Sequence, residues 1–280
     1  MKVKEIDEKI INDFIKHSEI GMKNFIEWGY RVKEDFFLYR KIISLIGKHS
    51  ENLDYLLKDD KFIVLTYLTL ISWDMDKRLA SIEFFDTYQK QIRGMTDKLV
   101  ELKGYSLEKI SISELPTIKA KLKMIYENLN LMISEGRIVS NSKLLHFLFP
   151  DLIMPIDNNT LNFLKQNDSV GGFLNIFNFI WKISNKMDLS KFFNKEKWNT
   201  TIPKVIDNII LSIVRERGKK ENYNKRLNNF KRKIEDGKKN NLKKRFLEDK
   251  YKAIPKNILS KIIDEIREDG KIYFEKELIN

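Results

Sequence analysis

The run Ser142-Lys143-Leu144-Leu145-His146-Phe147-Leu148-Phe149-Pro150-Asp151-Leu152-Ile153-Met154-Pro155-Ile156-Asp157 constrains the fold more than any other part of this chain. It reads as the end of a buried helix, a short loop between two prolines, and an aspartate that opens the next helix. Neither Pro150 nor Pro155 can continue a helix, and each pushes its predecessor towards extended backbone. Asp157 precedes Asn158-Asn159-Thr160-Leu161-Asn162-Phe163-Leu164, where its carboxylate can accept a hydrogen bond from an orphan helix amide.

The rest of the chain has helical periodicity. Ile6, Ile10, Ile11, Phe14 and Ile15 form one stripe, and Phe25 to Ile46 holds a second helical region. Lys61 to Trp73 is apolar on most sides; its β-branched residues leave a strand open, but with no partner strand in view a buried helix is the better reading. Asp76 to Leu102 and Lys119 to Ile133 are helical, with Gly136 as the C′ residue of the latter. Gly171-Gly172 marks a turn before an apolar helix, Phe173 to Ile183. Asp188 to Trp198 reads as a short helix and loop. Pro203 sits in the first turn of a helix burying Val205, Ile206, Ile209, Ile210 and Ile213. The expected fold class is all-α: a helical body over 1–214, then a C-terminal module over 215–280. In that module Tyr223, Leu227, Phe230 and Ile234 mark one helix, Leu242, Phe246 and Leu247 a second, and Pro255 opens a third that Gly270 stops. The tail Lys271 to Ile279 alternates loosely. Two readings stand for the module: a winged helix with a small β-wing, or a helical extension packed on the body.

Charge separates the two parts. The chain carries a formal +12. Residues 215–250 hold 15 Lys and Arg against six Asp and Glu, a net of +9 that leaves +3 for everything else. A positive field confined to one segment suits a polyanion, since each neutralised phosphate releases counterions. Lysine-rich surfaces also arise without such a partner, but matched acids then accompany them. The chain has no cysteine, which removes disulfides, thiolate nucleophiles and cysteine metal sites. His17, His49 and His146 are far apart, so a zinc site is not expected, and Asp86, Asp151, Asp157 and Asp168 are too scattered to define a carboxylate metal cluster. No phosphate-cradling glycine loop, Gly-x-Ser-x-Gly elbow or zinc-protease helix is present. No cofactor is expected. No apolar run is long enough to span a bilayer, so no membrane partner is expected and the location expected is the cytoplasm.

The central run resembles the helix–loop–Asp–helix core of the helix-hairpin-helix DNA glycosylase superfamily. It is most similar to the 8-oxoguanine glycosylase-like members with a Ser-Lys-x-Leu-His-Phe…Pro…Pro-Ile-x-Asp pattern. The likeness covers about residues 136–164. It implies a body that binds DNA through the turn amides of a helical hairpin, with Asp157 and Lys143 as catalytic residues. A base is extruded into a pocket. The carboxylate activates the attacking group or stabilises the cationic sugar, and a lysine with a lowered pKa can attack the sugar carbon. On that template Val139-Ser140-Asn141-Ser142 is the hairpin turn. Ser140, Asn141 and Ser142 contact phosphate there, without the family's glycines and with a Lys-to-Asp separation shorter than usual.

Each assignment has a plainer alternative: Asp157 as a helix cap only, Lys143 as a solvated first-turn residue. Trp73-Asp74-Met75-Asp76-Lys77-Arg78 is similar to a Trp-Gly-Met segment of such relatives, with Asp74 in place of the glycine. It reads as an aromatic surface for an exposed base or as a core anchor. His146 reads as a satisfied core residue. Lys231, Arg232, Lys233, Lys238, Lys239, Lys243, Lys244 and Arg245 are the expected DNA contacts of the basic module; were it a winged helix, the acids on its third helix would leave the reading to the first two. The function expected is therefore a DNA-binding protein with base-excision activity, as a glycosylase or glycosylase/lyase. The alternative is a non-catalytic nucleic-acid-binding or protein-interaction protein on the same scaffold.

Overall fold

The structure is a computed structural model describing residues 5–27, 34–49, 51–75, 82–133, 136–194, 198–221 and 253–279. Among these residues the fold is all-α. The helices are α1 (Glu8–Glu27), α2 (Glu34–Lys48), α3 (Leu53–Leu56), α4 (Asp60–Leu70), α5 (Phe85–Gly94), α6 (Thr96–Val100), α7 (Leu115–Asn128), α8 (Ile138–Leu148), α9 (Asn158–Leu164), α10 (Val170–Lys186), α11 (Ile202–Glu221) and α12 (Lys256–Ile279). A π-helical turn, Ile71–Met75, extends α4, and 3₁₀ turns lie at Leu107–Lys109 and Ser190–Phe192. The described residues contain no strand, only an antiparallel bridge between Ile82 and Met132. No helix among them is long and apolar enough to cross a membrane.

The apolar run from Lys61 is helical because tertiary burial outweighs β-propensity. Asp59 caps α4 by accepting from the Lys61 amide at 3.1 Å. Phe62, Ile63, Val64, Leu65, Tyr67 and Leu70 are then buried on nearly every side. The two buried threonines return their hydroxyls to the helix, Thr66 to Ile63 O at 2.8 Å and Thr69 to Leu65 O at 2.7 Å. The π-turn that follows rotates Trp73 out of the α-helical register.

Helix α8 starts without a cap of its own. Asp168 supplies one: its Oδ1 accepts from the Arg137 and Ile138 amides at 3.2 and 3.0 Å and from the Tyr126 hydroxyl at 3.1 Å. Helix α11 packs its Val205–Ile213 face on α1, α9 and α10, and Gly21 of α1 lies against Ile209 and Ile213.

Four expectations need correction. The tail Lys271–Ile279 is helical, continuous with α12 through Gly270, so it is no β-wing. Its Glu and Lys residues are good helix formers, and one interior glycine costs only about 1 kcal/mol. Helix α12 packs on α2 and α4, where Glu265 meets Lys41 at 3.1 Å and Lys61 at 2.6 Å. Second, α7 stops at Asn128; the chain then leaves the helix in extended backbone at Leu129 and reaches the bridge at Met132, and Gly136 precedes α8. Third, Gly171 and Gly172 lie inside the first turn of α10, whose cap Ser169 accepts from the Gly172 amide at 3.0 Å. A Cβ on Gly172 would come within 2.3 Å of the Asn167 carbonyl, so close approach rather than a turn requires glycine there. Fourth, Val139-Ser140-Asn141-Ser142 is not a turn but the start of α8. The segments with Tyr223 to Leu247 lie outside the described residues.

Candidate functional site

The loop between the prolines is pinned to α8 at two points. The Ile156 amide donates to Ser142 Oγ at 3.0 Å. His146 Nδ1 lies 2.7 Å from the Ile153 carbonyl. A carbonyl only accepts, so Nδ1 carries the proton, and Nε2 accepts from the Tyr39 hydroxyl at 2.8 Å. The Tyr39 oxygen then accepts from Thr200 at 3.0 Å. Burial, then the Lys204 cation, lowers the pKa of His146 to about 3, while its bond to Ile153 opposes the shift. Burial raises that of Tyr39. Both groups are therefore neutral, and the chain Thr200 → Tyr39 → His146 → Ile153 is a fixed polar strut. His146 is a satisfied core residue, and the bond it makes holds the loop.

With the loop fixed, Asp157 opens α9 in extended backbone. Its Oδ1 accepts from the Thr160 amide at 2.8 Å, and Oδ2 accepts from Asn159 Nδ2 at 3.1 Å. The cap is thus real. The same half-buried side chain also faces a cleft of about 220 Å³, whose wall includes Lys143, Trp73, Trp198, Lys204 and Asp207. Lys143 donates to the Trp73 carbonyl at 2.8 Å, with its ammonium 5.8 Å from the centre of that indole. So the structure brings Asp157 and Lys143 to one cavity, although they lie on different helices.

Aromatic rings form the floor. Trp73 and Trp198 have centroids 6.1 Å apart. Tyr39 stacks on Trp198 at 5.7 Å and 17°, and Phe147 meets Trp73 edge-on at 5.0 Å. Trp73 anchors the π-turn in this cluster and also lines the cleft. Asp76, Lys77 and Arg78 lie outside the described residues.

Two further residues of the cleft went unforeseen in the sequence. Lys204 and Asp207, in the first turns of α11, form a buried ion pair at 2.6 Å with side chains only 8% and 6% exposed. The Lys204 ammonium lies 5.1 Å from the Trp73 ring centre and 5.5 Å from that of Trp198. Burial raises the pKa of Asp207; Lys204 opposes this, and the Asp157 carboxylate adds to it across the cleft. The available signal was a charged pair three residues apart, flanked by Val205, Ile206, Ile209 and Ile210, on a helix apolar on nearly all sides.

Ser140, Asn141 and Ser142 do not form a phosphate grip: all three are fully buried. Ser140 donates to Arg137 O at 3.1 Å, Ser142 to Val139 O at 3.2 Å, and Asn141 Nδ2 to Leu129 O at 2.9 Å. Their polar atoms are turned inward, which rules out contact with a phosphate backbone. Lys231, Arg232, Lys233, Lys238, Lys239, Lys243, Lys244 and Arg245 lie outside the described residues. Among the described residues no group of three or more His, Asp or Glu is placed to hold a metal ion.

No family model matches the chain, and no curated protein or solved structure is significantly similar to it.

Proposed function

We propose that this chain binds DNA, receives an extruded nucleobase in the Trp73–Trp198 cleft, and cleaves its N-glycosidic bond. The observation that carries this reading is the meeting of Asp157 and Lys143 in the wall of one aromatic-floored cleft. In this reading Asp157 stabilises the cationic sugar and takes the proton of the attacking water. Its link to the Thr160 amide fixes the carboxylate without consuming all its acceptor positions. Lys143, in the same wall, serves as the amine of a lyase step or as a charge for the departing base. The half-buried Trp73 in the lining offers apolar ring surface to a base. The net +9 over residues 215–250 supplies sequence-independent attraction to the backbone.

The test is strand scission. Labelled duplexes carrying 8-oxoguanine, uracil, hypoxanthine or N7-methylguanine are incubated with protein and then treated with alkali. Scission at one of these positions, absent with Asp157→Asn, supports base excision. No scission above the Asp157→Asn control removes it.

A second reading is favoured by the occupation of both Asp157 oxygens by α9 groups: nucleic-acid binding without catalysis. It requires salt-dependent DNA affinity that falls when Lys231, Arg232, Lys233, Lys243, Lys244 and Arg245 are neutralised, with no base released.

A further inference from the structure

The resemblance supplies roles for a carboxylate and one lysine. It supplies none for the second cation in the cleft. Lys204 is the more enclosed of the two: its side chain is 8% exposed, its ammonium packs against both indoles, and it still forms part of the cleft wall. A cation enclosed in this way stabilises nearby negative charge far more than a solvated one does. The 2.6 Å bond to Asp207 Oδ2 occupies one of three ammonium hydrogens. Asp157 stands in another part of the same wall, on α9 rather than α11. The cleft therefore presents a carboxylate to one part of a bound nucleotide and an ammonium to another.

Resting on the base-excision reading, we infer that Lys204 is a further catalytic residue, the acid for the departing base, and that Asp207 is the positioning residue that holds it. When the C1′–N bond breaks, its electron pair goes to the base. The base takes a proton from the Lys204 ammonium. Water adds to C1′ and gives a proton to Asp157. Asp157 then loses that proton to solvent and the Lys204 amine regains one. The net change is addition of water across the glycosidic bond, with no other reactant. Without Asp207 the ammonium loses the hydrogen bond that fixes its position against the indoles, so Asp207 acts through Lys204 and not on the substrate.

The test reads leaving-group dependence, which a purely structural role does not change. Single-turnover excision is measured on duplexes carrying 8-oxoguanine, uracil, 5-fluorouracil, hypoxanthine or N7-methylguanine. Uracil and hypoxanthine leave as strongly basic anions, 5-fluorouracil as a weaker base, and N7-methylguanine as a neutral molecule. Lys204→Met is expected to slow uracil or hypoxanthine by about 100-fold, 5-fluorouracil less, and N7-methylguanine hardly at all. Asp207→Asn is expected to give the same order with smaller losses. Because Lys204→Met leaves a lone buried carboxylate, the charge-balanced Lys204→Met/Asp207→Leu variant is measured too, with thermal unfolding to establish that it is folded. A uniform loss across the bases, or wild-type protein that excises N7-methylguanine alone, overturns the role of Lys204 while base excision stands. Wild-type protein that excises none of them overturns the base-excision reading itself, and Lys204 with it.

Discussion

The Ile156 amide donates to the hydroxyl of Ser142 at 3.0 Å, joining the residue just before Asp157 to the first turns of α8. Both groups are buried. The serine closes a local bond to Val139 O at 3.2 Å as well, so one hydroxyl serves the helix as donor and the loop as acceptor.

Ser142→Ala leaves the Ile156 amide buried without that acceptor and is expected to cost about 1–3 kcal/mol. Ser140→Ala removes only a bond within the helix, from Ser140 Oγ to Arg137 O, and is expected to cost less than about 1 kcal/mol. Urea unfolding of the two variants checks the difference. Equal losses would show that the bond to Ile156 adds nothing.

His146 links pH to stability. Its pKa is about 3 in the folded protein, against a usual value of 6.5. Below pH 6.5 the unfolded chain therefore binds a proton that the folded chain refuses. The contribution is complete above pH 6.5 and is lost as pH falls towards 3, at about 1.4 kcal/mol per pH unit for one proton. Unfolding free energies of wild type and His146→Gln between pH 4 and pH 6.5 are expected to differ in slope by up to that amount. Parallel slopes would mean that His146 protonates freely in the fold.

The Lys204–Asp207 pair is expected to behave as a unit. Lys204→Met alone strands a buried carboxylate and is expected to cost about 3–5 kcal/mol. Adding Asp207→Leu is expected to recover most of that loss, since a buried pair replaced by apolar residues is often neutral. Denaturant titration of wild type, both single variants and the double variant gives the coupling. Additive losses would place the two side chains in separate environments.

Lys165 closes α9 with φ 52° and ψ 41°, the left-handed conformation that suits glycine. Its amide donates to Asn162 O at 3.3 Å and that of Gln166 to Leu161 O at 2.9 Å. Lys165→Gly relieves the Cβ clash at some cost in chain entropy and is expected to stabilise the protein by about 0.5–1 kcal/mol in thermal or urea unfolding. A loss of stability would show that the lysine side chain contributes more than its backbone costs.

The cap at Asp157 and the helix after Pro203 were legible in the sequence because each rests on a local rule, a short polar acceptor before orphan amides and a proline that has no amide to lose. The buried α4 was legible from the length of its apolar run. Ser140, Asn141 and Ser142 were misread because their residue types favour turns. In the fold, each side chain instead satisfies a carbonyl on its own or a neighbouring element. The Lys204–Asp207 pair was not legible because two charges three residues apart on a helix ordinarily mark a solvated face. Only packing against Trp73, far away in the chain, and against the nearby Trp198 encloses it. Gly270 was misread as a helix stop, and the tail stayed open between two readings, because loose alternation over nine residues does not distinguish a strand from a helix built of Glu, Lys, Ile and Leu.

The most direct measurement is chromatographic detection of free base after incubation with duplexes that each carry one modified base. Release of one such base by the wild-type protein is the expected result, with release at least about 100-fold slower from Asp157→Asn and duplex affinity unchanged. Duplexes that keep every base, or equal release by both proteins, would contradict a catalytic cleft at Asp157.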